Sequence, residues 1–474
     1  MIVTSNRIPI FVFDNNKMEE KVVLTPVDKY IINPVNRFIS KSTTGGIVLF
    51  IAAIIAIILA NSSFSESYHH FWENKFGFTF NGTAFLNYSI HHWVNDGLMA
   101  IFFFVVGLEL KRELIGGELS TPKNALLPII AAIGGMVVPA LIYAFFNYGT
   151  ETSHGWGIPM ATDIAFALGV LYLLGDRIPT SLKVFLTALA IVDDLGAVLV
   201  IAIFYTAEID YYMLFTGLSF VVFLFLSKAL GARNTVFYAV IGIFGVWLPF
   251  LLSGVHATIA AVLVAFTIPA SSRIKENVFA DKINLFLNQF KFADKNNKVP
   301  TLTSEQLHVL DDIRIVTKDA MTPLQRLEHC MHPFVSFIIM PIFAFANAGI
   351  DLRNVVLAQM IANPIHVGIV LGLFVGKPLG ITLFSYLAVL FGLSQLPLKT
   401  SWIQIVGVSL LGGIGFTMAL FISARMGIYQ EVLYKQHGKH PREALYVTVS
   451  QITMLTFDLI HTIVNCILTK IFLF

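Results

Sequence analysis

The stretch LAIVDDLGAVLV, residues 189–200, decides the fold. Ten of its twelve residues are apolar or glycine, and two adjacent carboxylates, Asp193 and Asp194, stand in the middle. The rest of the chain has a matching composition. Of 474 residues, 56% are hydrophobic and 13% charged, about half the charged share of an ordinary soluble domain. Mean hydropathy is +0.76. A membrane-crossing helix needs roughly 20 mostly apolar residues. Twelve spans are predicted, at about 43–60, 89–108, 125–146, 155–174, 182–205, 212–230, 234–251, 253–270, 332–349, 364–390, 403–424 and 445–469. The sequence therefore predicts an all-α polytopic membrane protein with no room for a separate enzyme domain. Residues 1–42 form an N-terminal tail, 43–270 carry spans one to eight, 271–331 form a polar insertion, and 332–474 carry spans nine to twelve.

Lys and Arg set the orientation, because they accumulate on the cytoplasmic side. The tail has six: Arg7, Lys17, Lys21, Lys29, Arg37 and Lys41. Loop 109–124 has Lys111, Arg112 and Lys123, whereas loop 147–154 and loop 206–211 have none. Segment 271–331 has nine and reads as a cytoplasmic loop with some amphipathic helix. Both termini are thus expected in the cytoplasm. Loop 425–444 disagrees, since it should be external yet carries Arg425, Lys435, Lys439 and Arg442. The net charge of +2 gives no reason to expect a nucleic-acid partner. Cys330 and Cys466 form neither a disulfide framework nor a zinc pattern, and no cofactor is called for.

Asp163, Asp193, Asp194 and Lys377 all fall inside predicted spans. Each isolated charge at the bilayer centre costs about 2.5–3.5 kcal/mol, or on the order of 10–14 kcal/mol for four. Pairing relieves part of that, but one Lys cannot neutralise three Asp. At least one carboxylate must hold a proton or a cation, so the cluster reads as an ion or proton pathway. Neighbours on a helix point about 100° apart. One Asp can therefore face a partner such as Lys377 while the other faces an aqueous cavity. Coupled carboxylates lose protons in steps that belong to the pair. Deprotonated, they offer hard oxygen ligands that suit a hard cation. Groups that bind either protons or a cation provide exchange directly.

Two spans are interrupted. The fourth contains Pro159, which removes a backbone bond, followed by Ala161, Thr162 and Asp163. The eleventh contains Gly412, Gly413, Ile414 and Gly415. Paired interruptions mark a midplane site in inverted repeats, here spans 3–5 and 10–12, with two broken helices crossing at mid-membrane. Asp163 would offset the positive helix ends and Lys377 the negative ones. A small external β-hairpin is expected at FGFTFNGTAFLN, residues 76–87, because Asn81-Gly82 suits a two-residue turn. Its aromatic face, Phe76, Phe78, Phe80 and Phe85, fits either a second copy or the membrane interface.

The stretches NDGLMAIFFFVVGLELKREL (95–114), ATDIAFALGVL (161–171), ALAIVDDLGAVL (188–199), SGVHATIAA (253–261), RLEHCMHP (326–333), PIFAFANAG (341–349), VGKPLGI (375–381) and GIGFTMALFI (413–422) closely resemble the NhaA family of sodium/proton antiporters. That family is itself a type case of the inverted-repeat architecture. The resemblance runs from roughly residue 40 to 425. It implies Asp194 as principal cation ligand and proton carrier, and Asp193 as a ligand that also pairs with Lys377. Thr162 and Asp163 would sit beside the ion, and Asp96 would be a supporting acid. His256, Glu109, Glu113 and Glu328 would form a pH-responsive region toward the cytoplasmic funnel. The implied activity is electrogenic exchange of Na⁺ or Li⁺ for protons, switched on at alkaline pH, in a bacterial inner membrane. The implied assembly is a homodimer through hairpin 76–87. Asp458 and His461 in the last span, the length of 271–331 and the basic loop 425–444 depart from the family pattern. Glu328, His329 and His332 read as a solvated cluster, since their order is not that of a zinc protease.

Two rival classes are weaker. An intramembrane aspartyl protease needs two Asp facing each other and sharing a proton, but this pair is adjacent on one helix. A passive cation channel favours acidic rings or carbonyl filters. No nucleotide-binding Walker A motif is present in the sequence.

Overall fold

The computed structural model of the chain describes residues 42–80, 83–173, 178–206, 209–293, 301–349 and 363–424. Span twelve, loop 425–444, Asp458 and His461 lie outside the described residues. Helix α1 (Ser42–Ala60) turns into α2 (Ser65–Glu73), and strands β1 (Lys75–Phe80) and β2 (Thr83–Ser89) follow. A short α3 (Ile90–Trp93) passes through a wide π turn (Val94–Leu98) into α4 (Met99–Gly116). Next come α5 (Pro122–Asn147), a tight 3₁₀ segment (Glu151–Met160), α6 (Ile164–Leu173), α7 (Thr180–Phe204) and α8 (Tyr211–Ala229). A run made of α9 (Thr235–Val240), a π segment (Ile241–Trp247) and α10 (Leu248–Leu252) leads to α11 (Ala257–Thr267).

The second half begins with α12 (Glu276–Ala293) and α13 (Ser304–Ala320). Helix α14 (Pro323–Phe334) continues through a π turn into α15 (Met340–Asn347). Helix α16 (Pro364–Leu371) continues through the π turn Gly372–Gly376 into α17 (Lys377–Leu390). The described chain ends with α18 (Trp402–Gly412) and α19 (Phe416–Ala424).

Six of these runs are apolar and long enough to cross a membrane among the described residues: Pro122–Phe146, Thr180–Phe204, Tyr211–Ala229, Thr235–Leu252, Pro323–Asn347 and Pro364–Leu390. Two further pairs are bent spans, α1 with α2 at 113° and α18 with α19 at 43°. Many runs start at a side chain that satisfies the free amides of the first turn: Asp210, Asn234, Thr322, Asn363 and Ser401. Helix α8 leaves Phe215, Val222, Phe223 and Leu226 exposed, as a lipid-facing helix does.

The second and ninth spans have other boundaries than the sequence reading gave them. The second span continues to Gly116, so Lys111 and Arg112 belong to a helix rather than a loop. Lys111 is buried and donates to the carbonyls of Phe266 and Ile268, capping the end of α11. Segment 271–331 holds α12 and α13 packed on each other, and the ninth span begins at Pro323.

Spans three and ten meet backbone to backbone. Gly368, Gly372, Gly376 and Gly380 recur every fourth residue, so they form one stripe along α16 and α17. A Cβ on Gly380 would stand 2.1 Å from the Gly134 carbonyl oxygen, and one on Gly134 would stand 2.4 Å from that of Gly380. Small residues at this spacing let membrane helices touch backbone to backbone. That contact fixes α17 against α5 and so fixes Lys377.

The two strands pair antiparallel, with Phe80 opposite Thr83, Phe78 opposite Phe85 and Phe76 opposite Tyr88. Residues 81–82 lie outside the described residues. A bulge between Phe76 and Phe78 places Leu86 in the left-handed region, at φ 54°. Gly77 faces this bulge, where a Cβ would be 2.5 Å from Asn87 Cα. The Phe76 carbonyl accepts from Trp93 Nε1 at 2.8 Å and ties the ladder to α3.

Candidate ion-binding site

Asp163 starts the site. Its carboxylate Oδ1 accepts from Phe166 N at 3.0 Å, so it caps the N-terminus of α6. Its Oδ2 accepts from Thr417 N at 3.1 Å and Thr417 Oγ1 at 2.5 Å, so it also caps α19. The Asp163 amide donates to the Ile414 carbonyl at 2.7 Å. Two interrupted spans thus cross with one carboxylate facing the positive ends of both half-helices. The first interruption lies at 161–163 rather than at Pro159, because the residues before it, Pro159 included, form a 3₁₀ segment and the chain turns extended at Ala161 (ψ 150°).

Thr162 and Lys377 join this crossing to α7. Thr162 Oγ1 lies 2.7 Å from Asp193 Oδ2 and 2.8 Å from the Gly412 carbonyl oxygen. A hydroxyl has one proton, so it serves only one of these acceptors at a time. A proton on Asp193 would let that carboxyl donate to Thr162 and free Thr162 for Gly412. Lys377 Nζ stands 2.5 Å from Asp193 Oδ2 and donates also to the Met160 carbonyl at the end of the 3₁₀ segment. Lys377, Asp163, Asp193 and Asp194 are each 0% exposed.

Asp194 is different. Among the described residues neither of its oxygens has a hydrogen-bond partner, and Asp193 Oδ1 also lacks one. Among the described residues no group of three or more His, Cys, Asp or Glu side chains has metal-ligand geometry. Asp163 is turned to the helix ends and does not join the other two.

The remaining predicted residues fall in three places. Glu113 and Glu328 both pair with Arg112, the former at 2.9 Å. Glu109, one turn before Glu113, interacts electrostatically with Glu328, Arg112 and Glu113, and also with Asp194. Asp96 is buried in the π turn and pairs with His92 Nε2 at 3.1 Å. His256 is not brought to the glutamates. It precedes α11 and lies 3.2 Å from the Tyr205 carbonyl oxygen, just past the end of α7. Helix α11 packs along α4 with its far end at Lys111, so His256 stands roughly 16 Å from that end at 1.5 Å per residue.

Two residues escaped the sequence reading. Thr417 follows the glycine interruption at a first-turn position where a hydroxyl commonly meets a cap, so its type and place were legible. The burial of Lys111 had no signal in the sequence, because its partners are backbone carbonyls from another span.

A helical membrane protein whose interrupted spans meet beside buried, under-neutralised carboxylates is a secondary ion transporter. A family model described as Na⁺/H⁺ antiporter 1 matches residues 36–436. A protein of Wolinella succinogenes named Na(+)/H(+) antiporter NhaA is 48% identical over 386 residues, covering 81% of this chain and 84% of its own. One of the same name from Oleidesulfovibrio alaskensis is 48% identical over 398 residues, covering 84% and 88%. Na(+)/H(+) antiporter NhaA 1 of Psychromonas ingrahamii is 49% identical over 382 residues, covering 80% and 86%. The chain belongs to the Na⁺/H⁺ antiporter 1 family.

Proposed function

We propose that this chain exchanges Na⁺ or Li⁺ for protons across a bacterial plasma membrane, with Asp193 and Asp194 as the shared binding site. The carrying observation is Asp194, a fully buried carboxyl with no hydrogen-bond partner for either oxygen among the described residues, beside an Asp193 held by Lys377 and Thr162. An isolated carboxylate is too costly to leave ionised away from water, so it takes a proton or a cation. Protonated, Asp194 is neutral, and its burial costs far less than that of the ionised carboxylate. Deprotonated, it offers its oxygens, with the free Asp193 Oδ1, to a cation. Cation and protons then occupy the site in turn, and two carboxyls yielding protons to one monovalent ion move net charge. Spans 3–5 and 10–12 form the inverted repeats, and rocking about their crossing exposes the site to either side. Both termini face the cytoplasm. Glu109, Glu113 and Glu328, linked through Arg112, set the alkaline switch at the cytoplasmic end, and His256 contributes from the far end of α11.

The protein works as a homodimer joined through hairpin 76–87. An isolated two-stranded ladder is marginal in water, and pairing its open edges across a two-fold axis stabilises both copies. The ion site lies within one chain. Phe76 and Tyr88 are ladder partners, so Lys75 can be joined to Tyr88 with little distortion. In vesicles, an imposed sodium gradient should drive protons the opposite way in the full-length protein. The form lacking 76–87 should do the same as a monomer. Sodium flux without coupled proton movement would mean a channel. A deletion form that still cross-links as a dimer would put the contact elsewhere.

A further inference from the structure

We infer that Thr417 is a positioning residue for the cation site, acting through Asp163; this rests on the reading of Asp193 and Asp194 as that site. Thr417 is 0% exposed, and its hydroxyl donates to Asp163 Oδ2 at 2.5 Å. The Asp163 carboxylate accepts from the amides of Ala165, Phe166 and Thr417 and from the Thr417 hydroxyl, so two of its donors come from Thr417, the one residue among them outside α6's own start. Asp163 is the only residue between Thr162 and the first turn of α6. Its amide is tied to Ile414 and its carboxylate to Thr417, so α19 sets where the extended 161–163 segment lies. Thr162 reaches Asp193 from that segment at 2.7 Å. Gly415 allows the approach, since a Cβ there would be 3.1 Å from the Ala161 carbonyl oxygen. The path is short and made of hydrogen bonds: Thr417 to Asp163, then one residue along the backbone to Thr162, then to Asp193. Thr417 touches neither Asp193 nor Asp194 in this path, so it acts by placing Thr162.

Without the Thr417 hydroxyl, the Asp163 carboxylate loses its one side-chain donor and keeps only backbone amides, among the described residues. A lost bond to a charged group in a buried setting is worth about a tenfold change in an equilibrium constant. The test is exchange kinetics in vesicles for Thr417→Val, Thr417→Ala and Thr417→Ser. The Val and Ala forms should raise the apparent KM for Na⁺ about tenfold with less than about a twofold change in maximal rate. The Ser form, which keeps the hydroxyl, should stay within about twofold of the parent. In an Asp163→Asn background, adding Thr417→Ala should have little further effect, because the two residues act in series. Val and Ala forms with the parent's KM, a Ser form no better than Ala, or additive effects with Asp163→Asn would each overturn the inference. Val and Ala forms that do not fold, beside a Ser form that does, would make Thr417 a residue of the fold alone and overturn it too. Failure of the underlying site reading looks different: the Asp194→Asn protein would then exchange normally, whatever Thr417 does.

Discussion

Asp194→Asn protein, reconstituted in vesicles, is expected to lose sodium-driven proton flux by at least about a hundredfold, the scale of losing a proton-transferring group. Asn has nearly the volume of Asp and keeps a polar end, but it neither ionises nor carries the proton. The fold should not suffer. Both Asp194 oxygens are buried without hydrogen-bond partners among the described residues, so removing the charge relieves a desolvation cost rather than breaking a bond. The unfolding midpoint should equal or exceed that of the parent. An inactive protein that is also strongly destabilised would point to a structural role. Asp193→Asn should cripple exchange as well, but with lower stability, because Asp193 is bonded to Lys377 and Thr162.

Lys377→Ala should have the largest effect on stability. It leaves Asp193 as an uncompensated buried charge and removes the donor to the Met160 carbonyl. Breaking one partner of a buried ion pair typically costs about 3–5 kcal/mol, whereas removing both together is often near neutral. The double variant Asp193→Asn with Lys377→Ala should therefore unfold at a higher temperature than Lys377→Ala alone. Thermal unfolding of the four proteins in detergent closes this cycle. A double variant no more stable than Lys377→Ala would mean that the two side chains do not depend on each other.

Much of this site was legible in the sequence, and for a definite reason. Charges inside apolar runs are costly, so Asp163, Asp193, Asp194 and Lys377 stood out without any structure. The glycine run at 412–415 was legible for the same reason, being poor helix where helix was needed. Spacing along one helix could not show how helices face each other. It did not show that Asp163 caps two half-helices at once, since the second helix start it caps is at Thr417, 254 residues away in sequence. It did not show that Lys111 turns inward to the end of α11, or that His256 stands at the opposite end of that helix. The stripe Gly368, Gly372, Gly376 and Gly380 could have been read from its spacing, yet its meaning depends on Gly134 in another span. In the hairpin, the sequence suggested two strands about 76–87, but not the bulge at Leu86, which rests on Gly77 lacking a side chain.

The central claim is that protons and the transported cation take turns on the Asp193–Asp194 pair. The most direct test is the apparent affinity of the reconstituted protein for Na⁺, measured as a function of pH with no gradient other than the tracer ion. Sharing one site requires the apparent KM for Na⁺ to rise as pH falls, by about tenfold for each pH unit where one carboxyl of the pair is protonated and up to about a hundredfold where both are, as mass action demands when two protons displace one cation. An apparent KM that stays flat between about pH 6 and 9, the range in which buried carboxylates can titrate, would contradict it.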